Sequence, residues 1–161
     1  MQPILYMPIG VSGCGKSTLF TQLQQQDPTI QYFSWDDLRL KWYNCDYSIA
    51  WQMSCEDKQF KQKTINYFRE LVKTGDSIYV DNTNLTRKRR RQFLDVVRPL
   101  GYKTISIYFD VDITTVISRQ STRLDKYIPE SAVMQQFQSL QPPIYGEFDE
   151  DYNSESIRII K

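Results

Sequence analysis

Glycines, a lysine and residues with hydroxyl side chains cluster in the segment GVSGCGKST, which runs from Gly10 to Thr18. Gly10, Gly15, Lys16 and Ser17 fit the pattern G-x-x-x-x-G-K-[ST], in which backbone N–H groups surround phosphate oxygens. The segment follows the apolar run ILYMPI and precedes LFTQLQQQ, which is the strand–loop–helix order that the pattern requires. Because a chance match in a chain of average composition is rare, the segment predicts a loop that binds a nucleoside triphosphate.

This loop predicts ATP or GTP as the phosphate donor and Mg²⁺ as the cofactor. In such loops the lysine reaches the β- and γ-phosphates and the hydroxyl after it binds the metal, which assigns Mg²⁺ to Ser17. Nucleotide binding is assigned to the loop residues Gly10, Ser12, Gly13, Cys14, Gly15, Lys16, Ser17 and Thr18.

A carboxylate and an arginine follow the second predicted strand, in the sequence SWDDLR. The chain has no histidine, so Asp36 is the candidate that orients and deprotonates an acceptor hydroxyl. Arg39 lies one helical turn further on the same face and is predicted to bind a phosphate of the acceptor. The alternative is that Asp36 caps a helix, a role that Asp37 would fill equally well.

The third predicted strand ends in the sequence DNTN, beginning with Asp81. A strand-end carboxylate beside a phosphate-binding loop bonds the loop hydroxyl or a water molecule on Mg²⁺, so Asp81 is a second candidate metal ligand, acting through water. The alternative is a turn built by asparagine and aspartate.

Three further charged motifs follow. In TRKRRR, Thr86 is a predicted helix cap, so five cations occupy the first turns of a helix, where the macrodipole disfavours them. They indicate either a nucleic-acid contact or a solvated face.

In RQSTR, Arg119 and Arg123 are four residues apart, which predicts one helix face and a lid over the transferred phosphate. DVDIT resembles a phosphatase nucleophile motif, but too little chain follows it, and Asp112 is interpreted as a helix cap.

Alternating β-rich and helical segments position these residues and favour parallel strands joined by crossover helices. The predicted strands are Ile4–Val11, Gln31–Trp35, Ser77–Asp81, Thr104–Asp110 and Ser156–Ile160. The predicted helices are Lys16–Gln26, Asp37–Tyr43, Asp57–Thr74, Thr86–Leu100, Ile113–Arg123 and Pro129–Leu140. We expect one α/β domain over residues 1–161, with a central parallel sheet of about five strands flanked by helices.

Composition narrows the functional classes. The chain has 161 residues, a net charge of +1 and three cysteines in no scaffold-like pattern. Nucleic-acid binding would therefore depend on local patches, and a reduced, cytoplasmic protein is expected. No apolar run approaches the ~20 residues of a membrane helix.

The chain resembles the P-loop 5′-polynucleotide kinase family, which includes kinase domains of bacteriophage and animal end-healing enzymes. The resemblance rests on the segments GVSGCGKST, WDDLR, VDNTNLTRKRR, RQSTR and QFQSLQPPIYGEFDE. It implies that Asp36 is the general base, that Arg39 contacts the acceptor strand, and that the lid arginines contact the donor phosphates. The catalytic residues are then Asp36, Lys16, Arg119 and Arg123, and the acceptor-binding residues are Arg39, Asp81, Thr83 and Asn84. A virus-encoded protein acting in the host cytoplasm would also fit.

Two features depart from that family. The phosphatase domain of the known repair enzymes is absent from this sequence, so a separate phosphatase or ligase is an expected partner. The segment Asn44–Glu56 is additional, and with the two residues before it contributes four aromatic side chains. They would either stack on terminal bases or form a hydrophobic lid over the sheet; these residues are Trp42, Tyr43, Tyr47 and Trp51.

The expected activity is transfer of the γ-phosphate of a nucleoside triphosphate to a 5′-hydroxyl end of DNA or RNA. Two alternatives remain open. One is a kinase of a small-molecule hydroxyl, such as a sugar, nucleoside or antibiotic. The other is a nucleotide-dependent switch that binds nucleic acid without acceptor chemistry.

Overall fold

The computed structural model describes residues 1–123 and 128–154. In this part of the chain the strands are β1 (Ile4–Ile9), β2 (Gln31–Phe33), β3 (Ile78–Val80), β4 (Lys103–Tyr108) and β5 (Glu150–Asn153). The helices are α1 (Lys16–Gln26), α2 (Trp35–Tyr43), α3 (Tyr47–Glu56), α4 (Phe60–Lys73), α5 (Arg87–Val97), α6 (Ile113–Ser121) and α7 (Glu130–Ser139), with a 3₁₀ turn at Arg98–Leu100.

The five strands form one parallel sheet in the order β2-β3-β1-β4-β5. The predicted α/β fold with a central sheet flanked by helices is confirmed. In β1, Leu5, Met7 and Ile9 face one side and Tyr6 faces the other, and both sides are buried. This is the continuous apolar strand that a parallel sheet covered on both faces requires.

In the described part of the chain, helices cover both faces of the sheet, three on each. On one face α2, α4 and α5 pack through Leu38, Phe68 and Phe93 against the odd-numbered residues of β1. On the other face α1, α6 and α7 pack through Leu19, Val116 and Val133. Ligands of such sheets bind at the carboxyl ends of the strands.

One predicted boundary differs from the structure, and two elements of the structure were not predicted. Trp35 begins α2 instead of ending β2, because the Ser34 hydroxyl caps this helix by accepting the Asp37 N–H at 3.3 Å. The segment 47–56 forms α3, which was not predicted as a helix. The fifth strand, which pairs with β4 at the edge of the sheet, is Glu150–Asn153. The predicted fifth strand, Ser156–Ile160, lies outside the described residues.

Candidate active site

A cavity of about 800 Å³ opens at the carboxyl edge of the sheet. The residues that follow the five strands line it: Ser12 after β1, Ser34 after β2, Asp81 after β3, Phe109 after β4 and Ser154 after β5. The cavity therefore lies where the carboxyl ends of all five strands meet.

The glycines of the loop at residues 10–18, hereafter the P-loop, permit close approach of its neighbours. A Cβ atom on Gly10 would lie 2.7 Å from the Cys14 sulfur and 2.9 Å from the Phe109 Cβ. Gly13 has φ +83°, and a Cβ there would lie 2.7 Å from the amide nitrogen of Gln120. Both positions require glycine for the loop to keep this shape.

The amino end of α1 faces the cavity without a side-chain cap. Its cap residue is Gly15, which provides no side-chain cap hydrogen bond. Ser17 and Thr18 of that turn line the cavity. Uncapped N–H groups and the helix dipole make such an end an anion-binding site.

Lys16 is folded against its own loop. Its ammonium donates to the carbonyls of Gly10 at 3.0 Å and Val11 at 2.8 Å, and it lies 3.5 Å from the Cys14 sulfur. The side chain is buried yet its residue lines the cavity. A bound triphosphate would offer this cation charged oxygens in place of neutral carbonyls.

Asp81 makes the predicted contact with the loop hydroxyl. Its Oδ2 accepts from Ser17 at 2.7 Å and from the Tyr32 hydroxyl at 2.5 Å. Burial and the negative charge of Asp81 raise the pKa of Tyr32 well above its ordinary value, so this phenol keeps its proton and remains a donor.

Ser17 and Asp81 fit a Mg²⁺ ion. They place a hydroxyl and a carboxylate oxygen side by side, and Mg²⁺ prefers oxygen ligands and is held by one or two carboxylates together with phosphates and water. Among residues 1–123 and 128–154 no group of three or more acidic, cysteine or histidine ligands occurs. Ser17 and Asp81 are the residues that would hold Mg²⁺, and the metal itself stays a prediction.

Asp36 lines the cavity from the β2 side. Its Oδ1 accepts from Arg39 at 2.8 Å and from the Tyr47 hydroxyl at 3.0 Å. Because Ser34 is the cap of α2, the alternative that Asp36 or Asp37 caps this helix is wrong. Both lie in its first turn, where the macrodipole favours a carboxylate.

Arg39 is buried and held by several partners besides Asp36. Its Nε donates to Ser54 at 2.9 Å, and its guanidinium lies 4.3 Å from the ring centre of Trp51 and 5.1 Å from that of Phe60. It lies behind Asp36 instead of among the residues that line the cavity. The structure thus shows Arg39 fixing the orientation of Asp36, and its contact with an acceptor phosphate stays a prediction.

The aromatic residues around α3 divide between the two predicted roles. Trp42 packs edge-on against Phe60, and the Tyr43 hydroxyl donates to Asp57 at 2.8 Å, so both stabilise the fold. Tyr47 contacts Asp36, and Trp51 is 48% exposed beside Arg39. Stacking of Trp51 on a base stays a prediction.

The two lid arginines do not share a helix face. The helix α6 ends at Ser121 with Thr122 as its cap, so Arg123 lies beyond the helix and the predicted i, i+4 geometry is wrong. Both arginines nevertheless line the cavity. Arg119 donates to the carbonyl of Gly13 at 3.2 Å, which places its charge directly on the P-loop.

Two glutamines near the P-loop were not found from the sequence. Gln136 of α7 accepts the backbone N–H of Ser12 at 2.8 Å and donates to its hydroxyl at 3.1 Å. Gln120 is 3% exposed beside Gly13, and neither polar atom of its amide has a hydrogen-bond partner within 1–123 and 128–154. No short-range pattern marks either residue, because each acts across more than 100 positions of sequence.

The loop after β3 is used differently from the prediction. Thr83 lines the cavity, and its carbonyl accepts the N–H of Gly10 at 3.1 Å. Asn84 is buried, with φ +49°, and its amide donates to the carbonyls of Pro8, Val80 and Asn82. Asn84 therefore stabilises the loop through buried hydrogen bonds and does not line the cavity, whereas Asn82 does.

The residues of the basic segment after this loop, Thr86 to Arg91, have different structural roles. Thr86 caps α5, as predicted, by accepting the N–H of Arg89 at 3.2 Å. Arg90 is fully buried and makes a two-point ion pair with Glu147. Asp112 caps α6 by accepting the Thr115 N–H at 2.9 Å, which agrees with its interpretation as a cap.

A P-loop at the carboxyl edge of a five-stranded parallel sheet, faced by a strand-end carboxylate and a lid arginine, defines this chain as a P-loop kinase. A family model described as an AAA domain matches residues 5–143. The chain belongs to this family.

Solved structures of several kinases share the fold. A gluconokinase from Sinorhizobium meliloti 1021 has a TM-score of 0.62 at 17% identity, with 94% of this chain and 81% of that chain covered. A fungal RNA kinase has a TM-score of 0.63 at 19% identity, covering 95% and 75%. A sugar kinase from Janibacter sp. HTCC2649 has a TM-score of 0.65 at 19% identity, covering 95% and 86%. At these identities the likeness establishes the fold alone.

In the described ranges no helix is both long enough and apolar enough to cross a membrane. The three cysteines are unpaired, and Cys14 of the P-loop is the buried one.

Proposed function

We propose that this protein transfers the γ-phosphate of ATP, or of another nucleoside triphosphate, to a 5′-hydroxyl end of DNA or RNA. The observation that carries the proposal is Asp36, a carboxylate in the same cavity as the P-loop and held by Arg39 and Tyr47. The WDDLR and VDNTN segments that resemble polynucleotide kinases lie on this side of the cavity, and an RNA kinase shares the fold.

The roles follow from the positions of the side chains. The uncapped turn of α1 and Lys16 bind the β- and γ-phosphates, and Arg119 and Arg123 neutralise charge on the transferred group. Ser17 and Asp81 would hold Mg²⁺, which supplies further charge neutralisation when bound.

Asp36 accepts the proton of the attacking hydroxyl as the new O–P bond forms, while the bond between the γ-phosphorus and the β–γ bridging oxygen breaks and the nucleoside diphosphate leaves. The chain has no histidine that could do so instead. The pair of donors on its Oδ1 holds the carboxylate in one orientation toward the cavity. Because phosphoryl transfer has a loose transition state, alignment of the hydroxyl is the main contribution of this base.

The test is a panel of acceptors with γ-labelled ATP. We expect label on 5′-hydroxyl oligonucleotides and little on sugars or water. Asp36→Asn should lower this transfer by roughly 10²–10⁴-fold while nucleotide affinity stays near wild type, because the change removes the base and leaves the P-loop intact. Asp37→Asn, on the neighbouring residue of the same helical turn, is the matched control and should be mild. Transfer by Asp36→Asn within about tenfold of wild type would refute the assignment.

A second candidate is a kinase of a small-molecule hydroxyl, since a gluconokinase and a sugar kinase share the fold to the same extent as the RNA kinase. The same panel separates the two, because label on a sugar and none on oligonucleotides would favour the small molecule. Release of phosphate to water with no labelled acceptor would favour a nucleotide switch. A separate phosphatase or ligase remains part of the proposal as a partner in end healing.

A further inference from the structure

Four exposed cations surround the first turns of α5. They are Arg87, Lys88, Arg89 and Arg91, hereafter the basic face. Arg90 between them points to the opposite side of the helix and is neutralised by Glu147. None of the four forms an ion pair within the described ranges, and the first turn of α5 contains no acidic residue.

This arrangement is electrostatically unfavourable for the isolated protein. Cations near a helix amino terminus oppose the macrodipole, which favours negative charge there. The terminus itself is closed, because Thr86 accepts the Arg89 N–H and Gln141 accepts the Arg87 N–H at 2.9 Å. A ligand would therefore meet the side chains and not the helix end, and an anionic ligand would remove the conflict.

The basic face lies on the acceptor side of the site. The loop that enters α5 carries Asn82 and Thr83, which line the cavity. Asn82 accepts the N–H of Trp35 at 2.9 Å, and the Trp35 ring lies 6.1 Å from that of Phe93 in α5. The neighbour of Asp36 in sequence thus packs on the helix that bears the basic face.

The helix that carries the donor-side Arg119 lies on the other face of the sheet from α5. The helix α6, which carries Arg119, packs with α1 on the opposite face, whereas α5 packs with α2. An anion bound along the basic face would extend from the Asp36 side of the cavity and not from the triphosphate.

We infer that the basic face binds the phosphodiester backbone of the acceptor strand beyond its first nucleotide. Arg87 and Arg91 are ~6 Å apart along the axis of α5. Successive phosphates of one strand of a duplex are ~3.4 Å apart along the duplex axis, so the basic face could contact about two phosphates. The inference rests on the proposed function and narrows its substrate to a polymer that continues past the reacting end.

The experiment neutralises the basic face without removing helix-forming residues. The variant Arg87→Gln, Lys88→Gln, Arg89→Gln and Arg91→Gln is expected to fold, since glutamine has similar helix propensity and the dipole conflict is relieved. The matched control changes four exposed cations of the α4 region, at or near a groove beside the amino ends of the strands; they are Lys58, Lys61, Arg69 and Lys73, each also changed to Gln.

Two measurements distinguish the outcomes. Fluorescence anisotropy of a labelled 5′-hydroxyl oligonucleotide should show at least tenfold weaker binding for the basic-face variant. A plot of the logarithm of the binding constant against the logarithm of salt concentration has a negative slope, and its magnitude should be smaller by about 1.5 for the variant, as expected for two lost phosphate contacts. The KM for the oligonucleotide should rise while that for a nucleoside 3′-monophosphate, which is too short to reach the basic face, changes less than twofold.

Equal binding by wild type, variant and control would overturn the inference and leave the proposed function standing. Equal loss in the variant and the control would also overturn it, because binding would then follow net charge alone. Wild-type binding to polyglutamate as tight as to the oligonucleotide would identify a general polyanion surface and contradict a nucleic-acid partner. If the wild type labels only a sugar, the proposed function fails, and the anisotropy comparison still decides whether the basic face binds nucleic acid.

Discussion

Removing Glu147 should destabilise the protein strongly, because it leaves a buried cation unpaired. Arg90 is 0% exposed and Glu147 is 9% exposed. Arg90 Nε and Nη2 donate to the two carboxylate oxygens at 2.8 and 3.0 Å, and Nη1 donates to the carbonyls of Asn84 and Gln141 at 2.9 and 2.8 Å. One side chain thus joins α5, the loop after β3 and the segment before β5.

The magnitude follows from burial. Breaking a buried pair by removing one partner costs about 3–5 kcal/mol, against a total stability of about 5–15 kcal/mol. For a chain of this size each kcal/mol lowers Tm by about 2–4 °C, so Glu147→Ala should lower Tm by about 6–20 °C. Glu147→Gln should cost less, because an amide oxygen still accepts one hydrogen bond.

The assay is urea unfolding followed by circular dichroism, with Glu70→Ala as the control. Glu70 pairs with Lys73 at 2.8 Å, but the two side chains are 68% and 71% exposed, and such pairs contribute about 0–1 kcal/mol. A loss below about 1 kcal/mol for Glu147→Ala, or an equal loss for both variants, would refute the claim that the buried pair fastens these segments. The double change Arg90→Met with Glu147→Leu should recover part of the loss, since it leaves no charge buried.

Two further predictions concern Tyr47 and Asp112. Tyr47→Phe removes the hydroxyl that donates to Asp36, so kcat should fall by about 2- to 10-fold with KM for ATP unchanged. A parallel change in both constants in steady-state kinetics would contradict a positioning role. Hydrogen bonds from Thr114, Thr115 and the backbone lower the pKa of Asp112 from 3.8 to about 2. Since folding lowers this pKa, the capping contribution is full above pH 4 and is lost as the pH falls through 2. An acid titration of unfolding should show a smaller loss of stability over this interval for Asp112→Ala than for wild type.

Local rules were sufficient where the structure depends on nearby residues. The P-loop, the start and end of α1, the Thr86 cap and the Asp112 cap all depend on side chains within a few positions of the backbone groups they serve. The contact of Asp81 with Ser17 was also predicted, because parallel strands bring their carboxyl ends to one edge. The fold, the P-loop and its contact with Asp81 therefore follow from sequence patterns.

Long-range partners could not be predicted in the same way. Nothing near Arg90 in the sequence marks it as buried, since its partner is 57 residues away, and the run of five cations conceals it. The helical spacing of Arg119 and Arg123 suggested one face, but α6 ends between them at Thr122. The strand β5 is polar, with the sequence EDYN, because an edge strand is only half covered and lacks the apolar pattern that marked the other strands.

The strand order explains why these residues form one site with two sides. In-line phosphoryl transfer needs the attacking hydroxyl and the departing nucleoside diphosphate on opposite sides of the transferred phosphorus atom. The P-loop follows β1, which lies between β3 and β4, and Asp36 follows β2 while Arg119 lies in the helix after β4. The sequence order of the strands thus differs from their spatial order in the way that puts Asp36 on one side of the P-loop and Arg119 on the other. If Asp36 aligns the acceptor as proposed, the hydroxyl would enter from the β2 side, and in-line transfer then requires the nucleoside diphosphate to leave on the side away from that hydroxyl.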